Sequence, residues 1–442
     1  MDNNNNNNLI KSIKKTKKQS KKQSKKQSKK QIYNNAEQNK EQNNNIKNLS
    51  DVLLNSSNIE DVANVLRDFY LKNIDNRKYQ SYKSQFVPYS NIGGKSGAVL
   101  GYLSNQKNTV LKMNIIKKKY ISTSSLIQLK KSNKCIFVNN KFNEVLINFI
   151  FKNIEHFTNI TQDEKKIIKN HILEINDYGF ASNIFYITMP LIGFDYINQS
   201  TKVKKYITNM NELIVNNHIP ILKNFLNNIN VSRNEKDNFM DLYDKFMYSK
   251  LNGYFDTIKI FQKYLHFINN DTKLNNVFVK NEKNTDTTLE PLKKEGIIID
   301  FTPLLTDLEK SVIEINGHKI ITYSNSPIKS KILHSIDVGL IYNVRYECNS
   351  QFNKICPKLT IYDFDILLLT TDLYILLLKA SQDIFNYLPK TNKLIMKILN
   401  LDERKFEIYK KLLINGRYNI GMGGSFHLGE IIKKYCKLLN KI

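Results

Sequence analysis

The chain has 442 residues, 41% of them hydrophobic, and a formal net charge of +27 at pH 7. That length and apolar content allow one large domain or two to three ordinary ones with real cores. Four scattered cysteines exclude a disulfide scaffold and show no zinc-ligand spacing, which favours a reducing, intracellular setting.

The charge is uneven. Residues 1–31 hold 11 lysines against one aspartate, in "MDNNNNNN" and a "KKQS" repeat that cannot bury a core, so residues 1–48 read as a disordered basic tail. Such a tail suits nuclear import or nucleic-acid contact; a solubilising role is the equal alternative. The remainder still carries +17, which favours anionic partners such as nucleotide phosphates, nucleic acid or acidic protein surfaces. No secretory signal is visible at the N-terminus.

Residues 49–87 read as a helical extension, with Ile59, Val62, Leu66, Phe69 and Tyr70 on one face. Two strands follow, "GAVLGYL" (97–103) and "NTVLKMN" (108–114), joined by the polar turn "SNQK". A helix is expected over 142–154 and a strand over 183–190. Beyond residue 200 the pattern is mainly helical, with Leu251, Phe255, Ile258, Phe261 and Leu265 forming a stripe that leads into "INNDTKLNNVFV". Two short strands, 276–279 and 296–300, flank a polar insertion at 280–294, expected to be a surface loop. The apolar run "ILLLTTDLYILLL" (366–378) is too short for a membrane span and carries Asp372, so it reads as a buried core helix.

Phosphoryl transfer from ATP needs backbone N–H groups and a lysine on the phosphates, two metal-holding oxygens, and a carboxylate to orient the attacking hydroxyl. Residues of those types occur in a suitable order. Gly94 and Gly97 in "NIGGKSGAV", with Val99 beyond them, head a strand where backbone can approach phosphate closely. Lys112 lies 15 residues after Gly97 on the next strand, and Glu144 on the following helix could hold its ammonium; Glu155 is a nearby competitor. Asp271, Lys273 and Asn276 come next, and Asp300 ends "GIIID".

With those motifs in place, the chain resembles the protein-kinase fold, specifically its serine/threonine branch, over residues 88–442. The resemblance implies an α+β, bilobal protein with a strand-rich N-lobe at 88–192 and a helical C-lobe at 193–442. It implies Asp271 as catalytic base and Lys273 on the γ-phosphate. Gly94, Gly97, Val99, Lys112, Glu144, Met189 and Leu191 would surround ATP, and Asn276 and Asp300 would hold Mg²⁺. Asp363, in the large buried helix, would be its structural aspartate, and the partners would be protein Ser/Thr hydroxyls. In composition and divergence the chain is similar to poxvirus-type virion kinases of large DNA viruses, which implies host cytoplasm and virion as its places of action.

The departures are specific. Ile92 stands for the first glycine, Asn269 and Asn270 for the His-Arg before Asp271, and Thr302 for the glycine after Phe301; no Ala-Pro-Glu closes the following segment. These suit an alternative: a kinase-fold protein without transfer activity, acting as a basic nucleic-acid-binding or virion structural component. Gly421, Gly423 and Gly424 follow a helix and read as a helix–helix turn. The seven histidines show no paired metal spacing.

Overall fold

A computed structural model describes residues 51–71, 76–93, 98–115, 127–130, 135–156, 159–181, 184–197, 204–269, 272–323, 363–380, 384, 388–398 and 401–416. The basic tail, Gly94, Gly97, Asn270, Asp271, the glycines at 421–424, and Cys348, Cys356 and Cys436 lie outside these residues. The described part is mixed α+β, with most of its strands in residues 86–207, four short ones in 277–323, and most of its helix beyond residue 207.

Helices α1 (Ile59–Leu71) and α2 (Asn76–Ser84) lead into a five-stranded antiparallel sheet. Its strands are β1 (Phe86–Gly93), β2 (Ala98–Leu103), β3 (Gln106–Ile115), β6 (Asp177–Ala181) and β7 (Ile184–Pro190), in the spatial order β1-β2-β3-β7-β6. Side chains alternate between the two faces of a strand. Leu103, Leu111 and Tyr186 therefore pack with Tyr79 of α2 on one face. Phe185 and Ile187 face the main core on the other.

Between β3 and β6 the chain makes β4 (Ile127–Lys130), β5 (Cys135–Asn139), α3 (Asn140–Lys152) and α4 (Gln162–Asn170). Asn139 caps α3, its side chain accepting from the Lys141 N–H at 3.0 Å. Phe69 of α1 meets Phe149 of α3 edge-on, with centroids 5.0 Å apart, which seats the N-terminal extension against that helix.

The back begins with the hairpin β8 (Phe194–Ile197) and β9 (Lys204–Ile207), followed by α5 (Ile219–Asn227). Helix α6 (Arg233–Leu265) starts with a reciprocal Ser232–Glu235 capping box and runs 33 residues, about 50 Å at 1.5 Å per residue. The stripe read from the sequence is buried in it, and Phe261 stacks on Phe151 of α3 at 3.7 Å. Helix α7 (Asp363–Ala380) buries Ile366, Leu369, Leu373, Tyr374 and Leu377. Helices α8 (Pro389–Ile398) and α9 (Glu403–Gly416) close this side. Asp244 of α6, fully buried, caps α8 by accepting from the N–H groups of Lys390 and Thr391. No helix among the described residues is long and apolar enough to cross a membrane.

The short strand pair differs from its sequence expectation. Strand β10 (Val277–Asn281) pairs with β11, which is Phe301–Leu305 rather than 296–300. The run before Asp300 has no strand partner because buried side chains satisfy its backbone instead. The Asn217 amide donates to the Gly296 carbonyl and accepts from the Ile298 N–H, and His218 bonds the Ile298 carbonyl at 3.1 Å. Nor is 280–294 only a surface loop, since it tucks Leu289 and Leu292 into the core. A second, four-stranded sheet, β12-β13-β5-β4, adds β12 (Ile313–Ile315) and β13 (His318–Tyr323), the latter parallel to β5.

Because a carbonyl only accepts, the His218 Nε2 carries the proton, and Nδ1 accepts from the Tyr243 hydroxyl at 3.1 Å. Burial lowers its pKa from 6.5 to about 4, so the folded state holds this imidazole neutral. The unfolded chain binds the proton first as pH falls, so stability is full above pH 6.5 and lost towards pH 4. Urea unfolding should show a component of about 3 kcal/mol lost across that window in the wild type and missing from His218→Gln.

Candidate active site

The site is built from three segments distant in sequence. Period-two alternation turns Lys112 of β3 towards α3, and the cap at Asn139 fixes the start of that helix, so that Glu144 meets it. The Lys112 Nζ donates to the Glu144 Oε2 at 2.7 Å. The third segment follows β11. Strand register sets Val277 opposite Leu305, which brings Asn276 and Thr306 to the same end of the hairpin, and the Thr306 hydroxyl donates to the Asn276 carbonyl at 2.7 Å. Asp307 comes next in left-handed conformation, φ 55° and ψ 55°, costing a non-glycine residue about 1 kcal/mol and typical of functional turns. The 3-10 turn Leu308–Lys310 then presents Glu309, whose Oε1 lies 3.1 Å from the Lys112 Nζ.

Carboxylate oxygens of Glu144, Asp307 and Glu309 all lie within 4.8 Å of one another. Lys112 and Lys141 offset two of the three negative charges, because Lys141 also pairs with Glu309 at 2.6 Å. Burial alone would lower the Lys112 pKa, but the Glu144, Glu309 and Asp307 carboxylates outweigh it and hold the ammonium well above its ordinary value. Burial works against the Glu309 carboxylate too, yet the two lysines keep it below its usual range. For Glu144, burial together with Glu309 and Asp307 outweighs Lys112, and its pKa is raised. The surplus negative charge and hard oxygen donors of Glu144, Asp307 and Glu309 suit a cation such as Mg²⁺, and Asn276 lies at the hairpin end from which Thr306 leads into Asp307.

Other expected residues fall differently. Asp300 sits beyond the opposite end of the hairpin from Asn276, about 20 Å away along the strand. It pairs with Lys293 at 3.2 Å and accepts from the Asn284 N–H, so it cannot share an ion with Asn276. Val99 pairs with Met113, which puts it on the face opposite Lys112; Leu100, directly across from Lys112, shares the lysine's face. Met189 does lie on that face, opposite Val110, and the Leu191 N–H donates to the Asn108 carbonyl at the end of the same strand pair. Thr302 bonds Glu282, away from this site, and Glu155 pairs with Lys169.

Asp271 lies outside the described residues, but its surroundings are tied down. Asp365 of α7, fully buried, accepts from the Asn269 N–H at 2.6 Å and the Thr272 hydroxyl at 3.0 Å. The aspartate that anchors this stretch is Asp365, two places after Asp363, the residue at which the helix begins. Asp372 adds a third tie, accepting from the Leu274 N–H at 2.8 Å and so holding the stretch around Lys273. Sequence reasoning missed Asp307, Glu309, Lys141 and Asp365. The available signal was that "LLTD", like "IIID", ends an apolar run with aspartate.

Removing the shared cation should be costly. Lys112→Met leaves Glu144 and Glu309 buried without it, and urea unfolding should show a loss of about 3 kcal/mol. Glu155→Gln, at a half-exposed carboxylate that pairs with Lys169 and more loosely, at 3.9 Å, with Lys165, should change stability by less than about 1 kcal/mol. No protein-family model matches the chain, and no curated protein matches it.

Proposed function

We propose that this chain is a divergent, bilobal protein kinase that transfers the γ-phosphoryl group of Mg·ATP to protein serine or threonine hydroxyls. The observation that carries this reading is the meeting of Lys112, Glu144 and Asp307 at one point, with Asn276 at the same hairpin end. Support also comes from the strand order β1-β2-β3-β7-β6 with a helix inserted after β3, and from the Asp365 ties on either side of Asp271. The front sheet would be the N-lobe and the helices behind it the C-lobe.

In this reading Lys112 binds the α and β phosphates, and Glu144 keeps its ammonium aimed at them. Asp307 and Asn276 would hold the magnesium ion, which supplies neutralisation of charge on the β and γ phosphates. Asp271 accepts the proton of the attacking hydroxyl and orients it, while Lys273 balances charge growing on the transferred group. Most of the catalysis is placement and charge, which explains why so much buried structure is devoted to holding so few side chains.

Incubation of purified protein with γ-labelled ATP and a basic protein acceptor tests the reading. Asp271→Ala and Asp307→Asn should each lower the rate at least about 100-fold, whereas Asp300→Asn should stay within about twofold of wild type. Nucleotide binding without transfer in the wild type would instead leave a kinase-fold binding protein. Equal labelling by wild type and Asp271→Ala would remove the kinase reading.

A further inference from the structure

The Lys112–Glu144 pair leaves Glu309 and Lys141 unexplained. Glu309 is a second buried carboxylate on the same ammonium, at 3.1 Å, and both of its oxygens accept from Lys141, at 2.8 Å and 2.6 Å. A second acid beside an already paired lysine has a desolvation cost that a hydrophobic residue would not incur. Its neighbours are equally specific. The Asn143 amide of α3 donates to the carbonyls of Leu308 and Ser311, at 3.1 Å and 2.6 Å, clasping the turn that carries Glu309. Strand β5 runs directly into α3, and β13, two strands after that turn, pairs with β5 over five residues. The helix carrying Glu144 and the segment carrying Asp307 are thus joined by one sheet, one amide clasp and one ion pair.

We propose that Glu309, held by Lys141, is a positioning residue for Lys112, fixing its ammonium to the Asp307 segment as Glu144 fixes it to α3. This rests on the kinase reading and adds to it. With carboxylates from two segments, the ammonium is kept at a fixed distance from the groups that hold the metal, and α3 cannot swing away without breaking the Lys141–Glu309 pair. The site is therefore assembled by contacts internal to the fold.

The test is binding of a non-hydrolysable ATP analogue with Mg²⁺, measured by calorimetry on wild type, Glu309→Gln, Lys141→Met, the double variant and Lys141→Arg. Far-UV circular dichroism corrects each for its folded fraction. Each single loss should weaken binding about tenfold, the worth of one charge-assisted hydrogen bond, with the double variant no worse than the singles. Lys141→Arg, which keeps the charge, should bind like wild type. A merely structural pair would lower the urea midpoint and leave the corrected affinity unchanged, and that result would overturn the proposal while sparing the kinase reading. Failure of the wild type itself to bind nucleotide would remove both.

Discussion

One buried ammonium, that of Lys112, lies between the carboxylates of Glu144 and Glu309, and much of the front of the molecule is arranged around it. A charge in that position is tolerable only when its partners are within hydrogen-bond reach, so every element that delivers a partner has to be placed to within fractions of an ångström. Strand alternation in β3 supplies the lysine. The capped start of α3 supplies Glu144, and the register of β10 with β11 delivers Asp307 and then Glu309. A slip of one residue in β3 would turn Lys112 to the α2 side, away from Glu144 and Glu309 and onto the face where the Asp177 carboxylate is already taken by Lys78 and Tyr82.

The helices behind the sheet solve a different problem, that of fixing irregular backbone. Between α6 and β10, residues 266–269 and 272–276 belong to no regular ladder, so their amides need other acceptors. Asp365 and Asp372 of α7 provide them, one on the Asn269 N–H and Thr272 hydroxyl, the other on the Leu274 N–H. Apolar packing sets where those helices lie: Phe261 on Phe151 joins α6 to α3, and the buried residues of α7 hold its aspartates in place. Asp244, capping α8, follows the same design of a buried carboxylate spent on backbone N–H groups.

Much of this was legible in the sequence because local periodicity carries it. Strands β2, β3 and β7, helix α3, the long stripe of α6 and the buried α7 all follow from patterns of two or 3.6, and so does the placing of Lys112 and Glu144 on neighbouring elements. What local pattern could not supply was pairing at long range. "GIIID" is more strand-like than "FTPLL", which contains a proline, yet the second is the strand, because Asn217 and His218 from a distant helix take over the backbone of the first. That single inversion leaves Asp300 at the far end of the β10–β11 hairpin from Asn276, paired with Lys293. Val99 lies one residue of register off the Lys112 face, and the aspartate that accepts from the Asn269 N–H stands two residues into the helix from Asp363, both distances that only the packed neighbours decide. The β12-β13-β5-β4 sheet joins segments about 180 residues apart and left no trace in local spacing.

The central claim is that these segments enclose one magnesium-bound triphosphate at the Asp307 end of the β10–β11 hairpin. It is tested most directly by a crystal structure with Mn²⁺ and a non-hydrolysable ATP analogue, using the anomalous signal of the metal. The account predicts a peak at a coordination distance of about 2.2 Å from the Asp307 carboxylate and the Asn276 side chain, with phosphate oxygens against Lys112. A peak at Asp300, or a nucleotide bound away from Lys112, would contradict it.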